Sequence, residues 1–388
     1  MNARLSLSAF YFIYFCFVGG LAPFFPLYLH ARGFNAWEVG SLMAVIMATK
    51  VVAPNFWGWL ADHTGKRLEL IRFGSLMAAA CFAMLQWVDG FAGFALGLMV
   101  FSAFWNAVLP QFEVLTLLAL QGERERYSQI RLWGSVGFIA MVNGLGVAFE
   151  VISVQWLGVI LAILLCLITL NTLWVPRLTS RPGKADFRGF IQQLRAPDVW
   201  PFFLMALLLQ LSFGPYYAFF SLYLDSLGYS RIAIGLLWSL GVLAEIILFT
   251  RMHSLLARFS LRTLFSVAVF LTLLRWLGVG YLAESLPVLL LLQCLHAASF
   301  GIVHAASIEF IHRVFHGRQE GQGQALYGAA SFGVGGSLGA WLAGGLYLHW
   351  GPQVTFTMGA LVAALAWWVS RMKSTSTSQL WARSPAKN

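Results

Sequence analysis

Phe24-Phe25-Pro26-Leu27-Tyr28-Leu29, followed by Gly33-Phe34 and Gly40, returns later in the chain as Phe219-Phe220-Ser221-Leu222-Tyr223-Leu224, followed by Gly228-Tyr229 and Gly235. Each matched position is displaced by the same offset, 195 residues. A constant offset across an apolar stretch, a turn and the start of the next apolar stretch marks an internal repeat. The chain therefore reads as two related halves.

What the halves are made of follows from composition. The 388 residues are 59% hydrophobic and 10% charged, with a mean hydropathy of +0.75. A soluble domain carries about a quarter charged residues, so the solvent of this chain is mostly lipid. A membrane-crossing helix needs about 20 apolar residues. Apolar runs predict spans at 5–29, 36–60, 68–88, 91–119, 130–149, 153–175, 199–225, 231–250, 262–282, 287–311, 323–348 and 352–371. The expected fold is an all-α membrane protein with 12 transmembrane helices in two pseudo-symmetric six-helix bundles. The bundles are expected at 1–175 and 199–372, with a cytoplasmic central loop at 176–198 and a disordered cytoplasmic tail at 373–388.

The first apolar stretch is too long for the apolar part of a removable signal and lacks a small-residue cleavage site. Cys16, Cys81, Cys166 and Cys294 all fall in apolar stretches without metal-ligand spacing. They read as small core hydrophobes, not a disulfide framework.

The formal charge of +10 invites a nucleic-acid reading, which its distribution rejects. Arg4, then Lys66, Arg67 and Arg72, then Arg124, Arg126 and Arg131 fall on one side of the predicted spans. Arg177, Arg181, Lys184, Arg188 and Arg195 follow on that side, as do Arg251, Arg258, Arg262, Arg313, Arg318, Arg371, Lys373, Arg383 and Lys387. Only Arg32 and Arg231 take the other side. The positive-inside rule then expects both termini and the central loop in the cytoplasm, in a multi-pass protein of the inner membrane.

Lys50, Glu245 and Arg275 fall near mid-span, with Glu113 and Glu309 nearer the cytoplasmic ends of spans four and ten. The 195-residue offset sets Lys50 opposite Glu245. A charge at mid-bilayer costs about 2.5–3.5 kcal/mol, so each is expected to face protein or water. Buried pairs that fix helix packing are one reading, since losing one partner of such a pair costs about 3–5 kcal/mol. Proton exchange at Glu245 is the other. Desolvation favours a neutral carboxyl and a nearby cation favours a charged one. An arginine stays charged, so Arg275 suits a counter-ion or substrate clamp, not a proton carrier.

Gln293, His296, Phe300, His304 and Ser307 recur at helical steps and share a face of span ten. Gln210, Phe213 and Tyr217 do the same on span seven. Tyr14 and Phe17 on span one, with Trp105, Asn106 and Pro110 on span four, add aromatic and amide groups. Pro110 is expected to loosen its helix. Such walls suit a ring-bearing or sugar-like solute. The two histidines are eight residues apart with no further ligand at suitable spacing, so no metal is expected. Glycines Gly134, Gly137, Gly144 and Gly146 on span five and Gly333, Gly335, Gly336 and Gly339 on span eleven predict close helix contacts.

Gly58-Trp59-Leu60-Ala61-Asp62-His63-Thr64-Gly65-Lys66-Arg67-Leu68-Glu69-Leu70 resembles the loop signature of the major facilitator superfamily. The resemblance implies a gate latch. Asp62 can accept from a helix N-terminus or an arginine across the interface of the halves, and Gly65 permits the turn. The second-half copy near Leu256-Ala257-Arg258 lacks the acidic residue. Tyr127 to Phe138, Gly228 to Ile247, and Arg275-Trp276 with His296 and His304 resemble the phenylpropionate permease branch. That likeness implies import of a small aromatic carboxylate with protons. A more distant likeness to the lactose-permease-type symporters aligns Glu113 and Arg131, and Glu245, Arg275 and His296, with polar positions there. Ser299 stands where those symporters place a proton-carrying glutamate.

The expected activity is alternating-access transport by halves that rock about a midplane site. Lys50 and Arg275 attract the carboxylate and Glu245 exchanges the proton. The protein is expected to be a monomer in the lipid bilayer that needs protons and a small solute, and no cofactor or nucleic acid. An oligosaccharide or nucleoside proton symporter is an alternative, and a metabolite or drug exporter another. An enzyme would need a nucleophile with its base or a metal cluster at membrane depth, and the sequence offers neither.

Overall fold

Lipid offers no partner to bare backbone N–H and C=O groups, so apolar stretches of this length fold as helices. The structure, a computed structural model, describes residues 3–121, 123–177, 187–197, 199–317, 319–372 and 381. All are helical or connecting, with no strand among them. Ten apolar helices follow in chain order: α1 Arg4–Ala31, α2 Ala36–Thr64, α3 Arg67–Trp87, α4 Phe91–Ala119, α5 Arg126–Ala148, α6 Val154–Thr172, α7 Trp200–Ser226, α8 Arg231–Arg258, α9 Leu261–Leu282 and α10 Leu286–Val314. One more apolar segment, Gln319–Arg371, has 53 residues. At 1.5 Å per residue it would reach about 80 Å, far beyond a hydrocarbon core of about 30 Å. It breaks at Gly351, whose φ is 74°, just before Pro352. The part before the break is α11 and the part after it α12. The expected twelve helices are present.

The 195-residue repeat has a structural cause. Gly33 and Gly228 both adopt positive φ, 90° and 81°. Phe34 N–H donates to Leu29 O at 3.2 Å, and Tyr229 N–H to Leu224 O at 3.1 Å. Both matched stretches therefore end in the same left-handed glycine cap, which an L side chain adopts only with strain. Packing repeats as well. α1 lies on α5, where a Cβ on Gly137 would strike the Phe12 carbonyl. One repeat later α7 lies on α11, where a Cβ on Gly339 would strike the Leu211 carbonyl. α3 meets α6 through Arg72 Nε, which donates to Thr172 O at 3.1 Å. Its counterpart, α9 with α12, is joined by Trp367 Nε1 donating to Ser266 Oγ at 3.0 Å.

The chain packs as two compact units, Met1–Gly183 with Phe220–Ser239, and Lys184–Phe219 with Leu240–Asn388. One boundary, between Gly183 and Lys184, falls in the expected central loop, and the segment Phe220–Ser239, from the end of α7 and the start of α8, belongs to the first unit. The start of α8 joins the first unit because α5 offers it a small-residue face. A Cβ on Gly235 would come within 2.9 Å of Val142 O, and Asn143 Nδ2 donates to Ser239 Oγ at 2.8 Å.

Several expectations need adjusting. α2, α5 and α8 run longer than predicted, because their polar ends stay helical. Pro110 leaves α4 continuous. Cys166 and Cys294 are exposed, while Cys16 is buried and Cys81 half-buried, so only part of the set belongs to the core. All four are free thiols. A short helix, Phe187–Leu194, occupies part of the expected central loop. Trp381 in the expected tail is buried, 4.9 Å from the Phe310 ring and with the Arg262 guanidinium 5.5 Å from its centroid. Arg181, Lys184, Arg318, Lys373, Arg383 and Lys387 lie outside the described residues.

Candidate functional site

Irregular backbone at membrane depth is tolerated where protein or a cavity surrounds it. Four irregularities stand out: a 3₁₀ turn at Thr49–Val51 in α2, a turn at Phe213 in α7, and π-helical turns at Ala297–Ile302 in α10 and Ala329–Gly335 in α11. Most of the expected site residues lie on or beside them.

In the second unit the centre is Arg275, which is fully buried. Its Nη1 donates to His296 Nδ1 at 3.2 Å and its Nη2 to Gln293 Oε1 at 3.1 Å. Tyr216 Oη donates to the same Gln293 oxygen at 3.1 Å. The guanidinium carbon lies 4.4 Å from the Tyr216 ring centroid and 4.7 Å from that of Trp276. Cation–π contact of this kind is strongest where water is excluded. On the far side of the imidazole, His296 Nε2 is 3.8 Å from a Glu245 carboxylate oxygen. Gln293, His296, Glu245 and Arg275 thus form one cluster drawn from α8, α9 and α10.

The π turn of α10 keeps the polar face in line. His296 stacks on Phe300 with centroids 5.6 Å apart at 6°, and Phe300 on His304 at 5.8 Å and 5°. Ser299 Oγ donates to Leu295 O at 3.0 Å. Phe213 stacks on Tyr217 at 5.7 Å and 25°. Gln210, Phe213, Phe300, His304, Tyr327 and Phe332 line a narrow cleft of about 10 Å³, enough for one water.

In the first unit Arg131 and Glu113 approach to 3.8 Å, and the Arg131 guanidinium lies 4.2 Å from the Phe15 centroid and 5.6 Å from that of Tyr11. Tyr14 stacks on Trp105 at 4.2 Å and 7°, with Phe17 beside it at 4.4 Å from the same indole. Asn106 has a structural tie: its Nδ2 donates to Ile46 O at 3.0 Å and to Thr49 Oγ1 at 2.8 Å. That tie fixes α4 to the 3₁₀ turn carrying Lys50. Within its own unit Lys50 has no ion-pair partner among the described residues. In the loop motif, Gly65 caps α2 with φ 68°. The arginine that meets Asp62 is Arg67 of the same loop, which also donates to Gln111 of α4. Lys66 begins the turn into α3, and a Cβ on Gly58 would lie 3.4 Å from Gln111 Nε2.

Phe332 and Tyr327 of α11, and Tyr216 of α7, also stand beside these residues without a charge or helical spacing to mark them in the sequence. A signal for Phe332 existed, since Ala297-Ala298-Ser299-Phe300-Gly301 and Ala329-Ala330-Ser331-Phe332-Gly333 are identical pentapeptides. Among the described residues no three His, Cys, Asp or Glu side chains gather to hold a metal ion.

Twelve helices in repeated halves, each with buried polar groups, define an integral membrane secondary transporter of the major facilitator superfamily. The chain belongs to the MFS_1 like family, whose profile matches residues 4–358. It is 28% identical over 367 residues to an Escherichia coli (strain K12) protein described as a probable 3-phenylpropionic acid transporter, covering 91% of this chain and 93% of that one. The maltose permease of Geobacillus stearothermophilus is 27% identical over 361 residues, covering 88% and 86%. In fold, the chain is similar to the nucleoside transporter NupG, with a TM-score of 0.83 at 17% identity over 96% of this chain and 100% of that one.

Proposed function

We propose that this protein is a proton symporter that imports a small aromatic monocarboxylate, 3-phenylpropionate first among candidates, across the inner membrane with both termini in the cytoplasm. The observation that carries the reading is the Glu245–His296–Arg275 chain, which joins a carboxylate at membrane depth to a fixed buried cation through one imidazole. A carboxyl beside such a cation can exchange a proton as its access to water alternates. Arg275 is enclosed by His296, Gln293, Tyr216 and Trp276, so it acts on charge through its field and not by direct grip. In the first unit, Lys50 is the better group to meet the solute carboxylate. In the second unit, the half-buried rings of Phe300 and Tyr217 supply ring-stacking surface. The name borne by the Escherichia coli relative supports this solute class.

An oligosaccharide or nucleoside proton symporter is the second reading. The Glu113–Arg131 pair favours it, because both groups hydrogen-bond hydroxyl-rich solutes well. The names of the maltose permease and the nucleoside transporter lend support.

Lightly buffered cells that express the protein provide the test. Adding 3-phenylpropionate should raise external pH as protons enter with it. Absence of a pH rise with aromatic acids, together with one on adding maltose or uridine, decides for the second reading.

A further inference from the structure

Beyond α12 the sequence turns polar. Arg371 ends the helix, and Lys373-Ser374-Thr375-Ser376-Thr377-Ser378-Gln379 contains no large apolar side chain. Leu380-Trp381 then brings an apolar pair. A chain terminus is poorly ordered unless something ties it down. Trp381 is 6% exposed, against 60% for Trp368 on α12. The tail indole therefore sits against protein, where the helix indole does not.

Two helices make its seat. Phe265 of α9 meets the indole nearly at right angles, with centroids 6.0 Å apart at 72°. Phe310 of α10 lies 4.9 Å away at 49°. The Arg262 guanidinium, on the same helix as Phe265, lies 5.5 Å from the indole centroid. Aromatic pairs and a cation beside a ring favour an indole over an aliphatic side chain. The indole Nε1–H is buried and makes no hydrogen bond among the described residues. A buried donor without an acceptor weakens the seat. Ring contacts alone hold Trp381, so the contact can let go.

The seat bears on a divided helix. The π turn Ala297–Ile302 splits α10 into Leu286–Cys294 and Val303–Val314. Such turns are places where helices bend. Phe310 belongs to the second piece, where it also stacks on Phe202 of α7 at 4.3 Å and 24°. We propose that the C-terminal tail is a releasable strap: Trp381 docks on Phe265, Phe310 and Arg262 and pins the piece of α10 after the π turn to the start of α9. Arg275 and His296 join the same two helices on the other side of that turn. The strap thus secures the α9–α10 pair beyond the bend, whatever solute is carried.

Amide hydrogen exchange of the purified full chain, read by mass spectrometry, is the test. Trp381→Ala should speed exchange at 262–266 and 307–315 by about tenfold, as local opening without a ring contact would, and leave 130–145 on α5 unchanged. Trp381→Phe should keep most of the protection. A specific protease site placed in the Ser374–Ser378 run lets the tail be cut from protein that has already folded, so the result does not depend on a variant folding. The cut should reproduce the Trp381→Ala effect, and added 373–388 peptide should reverse it, where the same peptide with Trp381→Ala should not. Unchanged exchange after the cut overturns the strap. Faster exchange after the cut but not in Trp381→Ala overturns the role of the indole. The tail is basic, with Lys373, Arg383 and Lys387 and no acidic residue, and such segments are drawn to anionic lipid. If wild type in phosphatidylglycerol nanodiscs already exchanges at the cut rate, the tail rests on lipid and the strap is overturned.

Discussion

Arg275 donates from Nη1 to Nδ1 of His296 across 3.2 Å. Arginine has no acceptor, so Nδ1 carries the lone pair and the imidazole hydrogen sits on Nε2, the nitrogen facing Glu245 at 3.8 Å. The contact fixes the tautomer. A proton arriving at Nδ1 would point at the guanidinium hydrogens, so His296 cannot take a second proton there while Arg275 holds it.

Arg275 serves His296 and Gln293 together and lies against two aromatic faces. A lysine ammonium is a compact point charge without the planar fork. Losing one hydrogen bond to a charged group is worth about 1.5–3 kcal/mol. Arg275→Lys should lower the initial uptake rate at least about tenfold while the protein still reaches the membrane. Uptake normalised to the immunoblotted amount measures this, and a wild-type rate would show that charge alone suffices.

Glu245 is the next target. In a proton symporter the proton is a co-substrate, so inward transport quickens as external pH falls. Glu245→Gln keeps the volume and removes the exchangeable proton, while Arg275 and His296 remain. The variant should still exchange labelled for unlabelled solute, lose accumulation driven by a pH gradient, and show a flat pH profile. Proteoliposome counterflow and pH-jump uptake separate these behaviours. Gradient-driven accumulation in the variant would remove Glu245 from the role.

Why some of this was legible in the sequence and some was not has a physical basis. The repeat could be read because Gly33 and Gly228 need a backbone conformation that few other residues adopt. The Arg275–His296–Glu245 cluster could be read because charges are scarce in lipid. Burial could not be assigned to Cys166 and Cys294, since a lipid-facing surface is as apolar as a core. The 3₁₀ turn beside Lys50 and the bond from Asn106 to Thr49 arise from contacts between α2 and α4 that no single stretch encodes. The twin pentapeptides were visible, but their spacing differs from the six-helix repeat and their π geometry is not a matter of hydropathy.

Glycine packing yields a stability prediction. A Cβ on Gly339 would strike the Leu211 carbonyl, and one on Gly214 would strike Gly339. Backbone cannot rotate away as a side chain can, and overpacking of this kind costs about 1–3 kcal/mol. Gly339→Ala should lower the melting temperature of the purified protein by several degrees. Gly144 has nothing within 4 Å of its added Cβ, and alanine outranks glycine in a helix by about 1 kcal/mol. Gly144→Ala should therefore leave the melting temperature unchanged or raise it. If both variants melt alike, the α7–α11 contact is looser than its geometry states.

The loop motif separates two roles of one arginine. Arg67 is 6% exposed and joins Asp62 on its own loop to Gln111 on α4. The Asp62 side chain is 59% exposed, so water screens its attraction and the pair contributes at most about 1 kcal/mol. Gln111 is buried, and removing its donor leaves an amide oxygen without that partner, at about 1–3 kcal/mol. Arg67→Met should thus destabilise the first unit clearly more than Asp62→Asn, by melting temperature and by protease sensitivity of the loop. Asp62→Asn should change uptake more than stability if the carboxylate acts in gating. Equal losses of stability in the two variants would show that Arg67 acts through Asp62 and not through its tie to α4.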